Sequence, residues 1–198
     1  MNLKNVIIRQ IIILIFQVVL YFGCEFFQKN PKNMDLPIDK KIPTLPYFAL
    51  IYVLWFPLIA IFPISLFKEA KNLYELYVIC WITDIVISVI IYLAYPTTCT
   101  RPKDLENIRC GWMLKILYKF SYKGLNCSPS MHCSISTLVL IFAIKTIQIP
   151  TILRISYASL SIAIMLSTLF TKQHVIIDLI SGVLLTLLVF IVLSVFLV

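Results

Sequence analysis

Charge is what this sequence has least of. Charged residues make up 13% of its 198 positions, roughly half the usual globular share. That scarcity leaves no stretch able to fold as a separate water-soluble domain. Histidine is scarcer still, with two in the whole chain. Six cysteines are present, Cys24, Cys80, Cys99, Cys110, Cys127 and Cys133, but no paired CxxC, and Cys127, His132 and Cys133 have no second histidine beside them. The ligand spacing of a structural zinc site is therefore missing. The thiols read as small buried or idle side chains, with a disulfide open to Cys99, Cys110 and Cys127 if their loop faces an oxidising compartment. There is no internal repeat and no low-complexity tract.

What remains is apolar, 61% of the chain. Runs long enough to cross a bilayer recur at about 5–27, 47–67, 73–95, 131–149, 151–170 and 175–198. The expected fold is all-α: a six-transmembrane-helix bundle forming one integral membrane domain over residues 1–198. Only the Ile149-Pro150 break separates the fourth and fifth runs, which predicts a tight helical hairpin. The first run continues into Tyr-Phe-Gly-Cys, where bulky Phe22 fits a lipoprotein cleavage site poorly. A retained anchor is expected there.

The formal charge of +8 is uneven. With alternating crossings, loops 28–46, 96–130 and 171–174 share one face, which carries eleven of the cations against six on the other. By the positive-inside rule the heavier face is cytoplasmic, unless some of those cations hold an anionic substrate.

Three polar islands lie on that face. In NCSPSMHCSIS, residues 126–136, Ser128 suits an N-cap and Pro129 the first helical position. The amides of Ser130 and Met131 are then left free at the positive end of the helix dipole, where phosphate is the usual guest. Ser130 adds a hydroxyl, and His132 sits in the same turn. In STLFTKQHVIID, residues 167–178, His174 and Asp178 are four apart and share one helix face. An aspartate there can fix the histidine tautomer and leave the other nitrogen as an aimed base or nucleophile. Asp178 lies in an apolar run and needs a partner; Thr171 suits the cap and Lys172 stands at the mouth. In YPTTCTRPK, residues 95–103, Arg101 offers a planar fork for phosphate oxygens on a loop stiffened by Pro96 and Pro102. Each island alone has a plainer account: a helix cap with a headgroup-facing histidine, a snorkelling histidine with a structural aspartate, an ordinary loop. Their common face outweighs those accounts, since two histidines, an arginine, a lysine and an aspartate can then meet in one pocket.

These residues resemble the type 2 phosphatidic acid phosphatase superfamily, also called PAP2 or vanadium-haloperoxidase-like. Its motifs run roughly Lys-x6-Arg-Pro, Pro-Ser-Gly-His and Ser-Arg-x5-His-x3-Asp. Arg101-Pro102 matches the end of the first, Pro129-Ser130-Met131-His132 the second with Met for Gly, and Ser167, His174 and Asp178 the third. The first-motif lysine position is Ala94 and the third-motif arginine position is Thr168, with Lys172 the candidate replacement for one of them. The weakened pattern looks like the divergent branch that includes inositol phosphorylceramide and sphingomyelin synthases, where a phospho-headgroup passes to an alcohol. The resemblance implies that His174 attacks phosphorus, Asp178 orients it, and His132 protonates the leaving alkoxide and then activates water or an alcohol. Arg101, Lys172, Ser130 and the Met131 amide would hold the phosphoryl oxygens. A lipid phosphate in the bilayer is the expected substrate; no metal, cofactor or nucleic acid is implied. The resemblance places the site on the extracytoplasmic face, against the charge count, and we take the family's side.

In GWMLKILYKFSYKG, residues 111–124, Lys115, Lys119 and Lys123 recur every fourth residue beside a Trp112, Ile116, Phe120 stripe. An interfacial amphipathic helix between spans three and four is expected, either gathering anionic lipid or simply anchoring the loop. Asp84, inside the third run, is an intramembrane acid with function as its default and Lys145 or Arg154 as structural partners. A lipid phosphate phosphatase is the first reading, a lipid phosphotransferase the next. A small transporter would need ionisable groups along a path through the bilayer, and here they cluster at one interface. A purely structural membrane protein leaves both histidines unexplained.

Overall fold

A computed structural model describes residues 2–197 and folds nearly all of the apolar sequence into helix. Met1 and Val198 lie outside the described residues, so the last position of the sixth expected run does too. The helices are α1 (Leu3–Cys24), α2 (Phe48–Val53), α3 (Trp55–Glu69), α4 (Lys71–Ala94), α5 (Trp112–Phe120), α6 (Met131–Lys145), α7 (Thr151–Phe170) and α8 (Ile176–Leu197). The strand pairing among the described residues is a two-residue parallel contact of β1 (Lys32–Asn33) with β2 (Thr97–Thr98). Among the described residues five stretches are long and apolar enough to cross a membrane, with α2 and α3 acting as one. The expected fourth crossing is shorter: α6 has 15 residues, about 22 Å of rise against a hydrocarbon core of about 30 Å.

That short helix is the centre of the molecule. It packs against α3, α4, α7 and α8, and its residues are buried on every side, from Met131 and Cys133 through Val139 to Phe142. A helix apolar all round belongs in a core. By contrast α1 and α8 bury one stripe each and expose Ile11, Ile12, Ile15, Leu184, Leu188 and Ile191, a surface suited to lipid. Polar rungs fix the register of α1 on α4. Gln10 donates to Tyr74 at 2.9 Å, Trp81 donates to Gln17 at 2.9 Å, and Arg9 pairs with Glu75 at 2.7 Å.

The hairpin of α6 and α7 turns at Pro150 as the sequence predicts. Arg154 closes it by donating to the Ala143 and Ile144 carbonyls at 3.0 and 2.9 Å, the last carbonyls that α6 leaves open. Lys145 lies over the Phe190 ring. Neither cation meets Asp84, which instead accepts from Thr186 at 2.7 Å.

The expected second run is broken at Leu54. Pro57 has no N–H to give the Val53 carbonyl, which removes one helical hydrogen bond at that turn, although Leu54 keeps helical dihedrals and the two pieces run on as one span. The break sets Tyr52 at the end of α2 and Trp55 at the start of α3. On the other side, Gly182 lets α8 approach the beginning of α6. A Cβ there would stand 2.6 Å from the Ser130 carbonyl oxygen and 3.2 Å from the Ser134 nitrogen, both backbone atoms. Gly182→Ala is expected to cost about 1–3 kcal/mol through this overlap, read as a lowered unfolding midpoint in detergent; an unchanged midpoint would show that the two helices have room to part.

Candidate active site

The first island folds two residues later than its sequence suggests. The Ser128-Pro129 peptide is cis, Ser130 is the N-cap, and α6 begins at Met131. The Ser130 hydroxyl accepts from the Cys133 amide at 3.4 Å, while the Ser130 amide donates to the Asp178 carbonyl at 3.1 Å. The Ser130 N–H is therefore not the free donor expected of it. Met131 and His132 hold the amides without intrahelical acceptors. Ser130 and Met131 are buried, and His132 is partly exposed.

His174 precedes α8 and is not on it. The Thr168 carbonyl accepts from the Gln173 and His174 amides at 3.1 Å each, which folds residues 171–174 into a turn. Thr171 closes the end of α7 by donating to the Ser167 carbonyl at 2.7 Å and does not cap α8. That role falls to two aspartates: Asp178 accepts from the Val175 amide at 3.0 Å and Asp39 from the Ile176 amide at 2.9 Å. The start of α8 is thus occupied by carboxylates and offers those amides to no anion. His174 Nδ1 lies 3.0 Å from the Cys127 carbonyl and 3.5 Å from Asp178 Oδ2. A carbonyl only accepts, so Nδ1 carries the proton and Nε2 is left with its lone pair. Cys127 is the nearer orienting partner; Asp178 is the second, beyond normal hydrogen-bond length.

Arg101 is drawn toward His174 by way of its neighbour. One Nη donates to the Ser121 carbonyl at 2.6 Å, and the other to Ser121 Oγ at 2.9 Å and to Gln173 Oε1 at 2.6 Å. The guanidinium lies over the Tyr118 ring of α5, 4.7 Å from its centroid. Lys172 goes elsewhere. Its Nζ donates to the Asp39 and Ile42 carbonyls at 2.9 and 2.7 Å, in the wall of an open cleft of about 740 Å³ shared with Asn33, Asp35, Thr100 and Pro102. Burial pulls its ammonium below the usual lysine range, with Asp39 and Asp35 opposing. Lys172 pins the loop before α2 and is not placed among the phosphate-facing groups expected of it.

The two imidazoles come together. Their ring centroids are 6.2 Å apart and their planes inclined by 50°. His132 is held between Tyr52 and Trp55, with ring centroids at 4.3 Å on each and interplanar angles of 27° and 33°. Tyr52 Oη lies 3.4 Å from His132 Nδ1. His132 Nε2, Arg101 Nε, Gln173 Nε2 and Asp178 Oδ1 are buried and unpartnered.

A family model described as the PAP2 superfamily matches residues 38–192, a span that includes all three islands. The chain belongs to the PAP2 superfamily. No curated protein and no solved structure gives a match.

This PAP2 member has site neighbours that sequence reasoning did not find. Tyr52 and Trp55 are 77 or more positions from His132 along the chain, and an aromatic in an apolar run carries no signal of its own. Asp39 sat in a loop valued only for its lysines. Cys127 was weighed with His132 and Cys133, but its thiol lies with His174 and Asp178, one ligand atom of each within 4.8 Å of the others. The neighbouring Cys99 thiol and burial push the Cys127 thiol well above its usual range, so it stays protonated. All six thiols are free, so Cys99, Cys110 and Cys127 form no disulfide. In α5, Leu114 and Leu117 face inward and Trp112, Ile116 and Phe120 outward, and Tyr118 and Ser121 carry Arg101. Of the three lysines of residues 111–124, Lys115 pairs with Glu106 at 2.7 Å and Lys123, beyond the end of α5, with Glu25 at 3.8 Å.

Proposed function

We propose that this chain is a membrane-embedded enzyme that cleaves a phosphate ester of a lipid through a phosphohistidine on His174. The observation that carries the proposal is the 6.2 Å between imidazole centroids, which suits one phosphoryl group between a nucleophile and a proton donor. His174 Nε2 attacks phosphorus as the bond to the lipid alkoxide breaks, and His132 gives that oxygen its proton. In the second step His132 takes a proton from the incoming water or alcohol as that oxygen displaces His174. Arg101 and the Met131 amide balance charge on the equatorial oxygens. Asp178 and the Cys127 carbonyl keep the His174 proton on Nδ1. No metal takes part in this scheme. The six-span layout, an interfacial α5 and an extracytoplasmic site belong to the same reading.

Hydrolysis of a phosphatidate-like or isoprenyl phosphate is the first form of the reaction. Transfer to an alcohol, as in inositol phosphorylceramide and sphingomyelin synthases, is favoured by one feature. With Lys172 tied to Asp39 and Ile42, and Ala94 and Thr168 at two cation positions, Arg101 is the expected cation that remains bonded beside His174, through Gln173. A singly charged phosphodiester needs less neutralisation than a doubly charged monoester. The test is the purified chain in bilayers with a panel of lipid monoesters and diesters, with and without an alcohol acceptor. Release of inorganic phosphate from a monoester, or of a phosphomonoester from a diester, marks hydrolysis, and a new phospholipid marks transfer. Ion flux in liposomes with neither product would overturn both.

A further inference from the structure

We propose that Gln173 is a phosphoryl-oxygen ligand, its side-chain amide supplying a neutral hydrogen-bond donor beside Arg101; this rests on the phosphoryl-transfer reading above. Gln173 is 4% exposed, and both its backbone polar groups are committed: its amide to the Thr168 carbonyl at 3.1 Å, its carbonyl to the Cys99 thiol at 3.3 Å. The side chain is equally fixed at one end. Oε1 accepts from Arg101 at 2.6 Å and from Ser121 at 3.1 Å. A guanidinium only donates, which settles which end of the amide is oxygen. Nε2 is therefore turned away from the guanidinium, and it is buried without a partner.

A buried amide donor left unmade is costly, and a folded chain that keeps one has a use for it. Arg101 Nε and His132 Nε2 are likewise buried without a partner. With Gln173 Nε2 they come from three separate segments: Arg101 is bonded to the Gln173 side chain, and the His132 ring centroid lies 6.2 Å from that of His174, the residue after Gln173. In this proposal a phosphoryl group on His174 supplies the acceptor oxygens that these nitrogens lack. A neutral amide at this place also fits the charge balance, because it binds a phosphoryl oxygen without adding a second cation.

The alternative is that Gln173 acts only by holding Arg101. A double-mutant cycle separates the two. Inorganic vanadate, which mimics pentacoordinate phosphorus, is titrated as an inhibitor of the full-length chain and of Gln173→Met, Arg101→Ala and the double variant. Gln173→Met is expected to weaken vanadate inhibition about 10- to 100-fold, and to weaken it again in the Arg101→Ala background. Gln173→Asn, which keeps both polar ends but retracts them by one carbon, gives the same reading if the Met variant does not fold. No change with either variant, or a change only where Arg101 is present, overturns the proposal while leaving the reaction in place. A wild-type chain that neither turns over any lipid phosphate nor binds vanadate removes the reaction and this ligand together.

Discussion

Replacing His174 by Ala is expected to lower turnover on the order of 10⁴-fold or more, with the variant still inserted and folded. The size follows from the chemistry. If the reaction passes through a covalent phosphoryl-histidine, no other nucleophile stands in the same place: Cys127 is the nearest candidate, and its thiol is held protonated by Cys99 and by burial. The fold should tolerate the change. His174 lies in a turn whose backbone is fixed by Thr168, and α8 is capped by Asp39 and Asp178, not by the imidazole. The measurement has two parts. Radiolabelled substrate quenched at early times should leave acid-labile, alkali-stable label on the wild-type chain and none on His174→Ala. Substantial turnover by His174→Ala would rule out the assignment, and label surviving in that variant would move the nucleophile elsewhere.

The sequence makes the apolar runs and the His174–Asp178 spacing legible and leaves the helix ends and the rest of the site dark, for a physical reason. His174 and Asp178 are four residues apart, and short spacing constrains where two side chains can be whether they ride a helix or, as here, a turn and its following helix. The convergence of three islands follows from counting crossings, which needs only length and hydropathy. The contributions that failed to show depend on where a chain folds back. Lys172 stands two residues from His174, but a long flexible side chain can leave the neighbourhood of its own backbone, and two carbonyls of the preceding loop draw it away. The Ser130 amide looked free because its acceptor, the Asp178 carbonyl, is 48 positions downstream. Tyr52 and Trp55 are aromatic residues in an apolar run until the packing of that run against α6 sets both rings on His132. The fourth crossing was read to residue 149 because the hydropathy continues, although α6 ends at Lys145 where Arg154 takes its last carbonyls.

His132→Gln is expected to slow turnover of a lipid phosphate by about 10²- to 10⁴-fold, the usual worth of a positioned acid–base group. Glutamine is the informative choice because His132 fills a slot between two rings, each at 4.3 Å. Alanine would leave that slot empty and mix packing loss with chemical loss. The imidazole is asked to act twice, giving a proton to the leaving oxygen and later taking one from the acceptor. An aryl phosphate ester separates those tasks, since a nitrophenolate leaves without needing a proton. His132→Gln should therefore release nitrophenol in a burst close to one per enzyme molecule and then nearly stop, with the phosphoryl group held on His174. A structural role for His132 makes a different forecast: both substrates slow together and no burst is seen. Tyr52 and Trp55 hold the ring but cannot carry its proton, so substituting either should lower the rate for both substrates without producing the burst. If His132→Gln processes the aryl ester and the lipid ester with the same fractional loss and no burst, the proton-transfer role falls, and the 6.2 Å approach of the two imidazoles becomes a matter of packing.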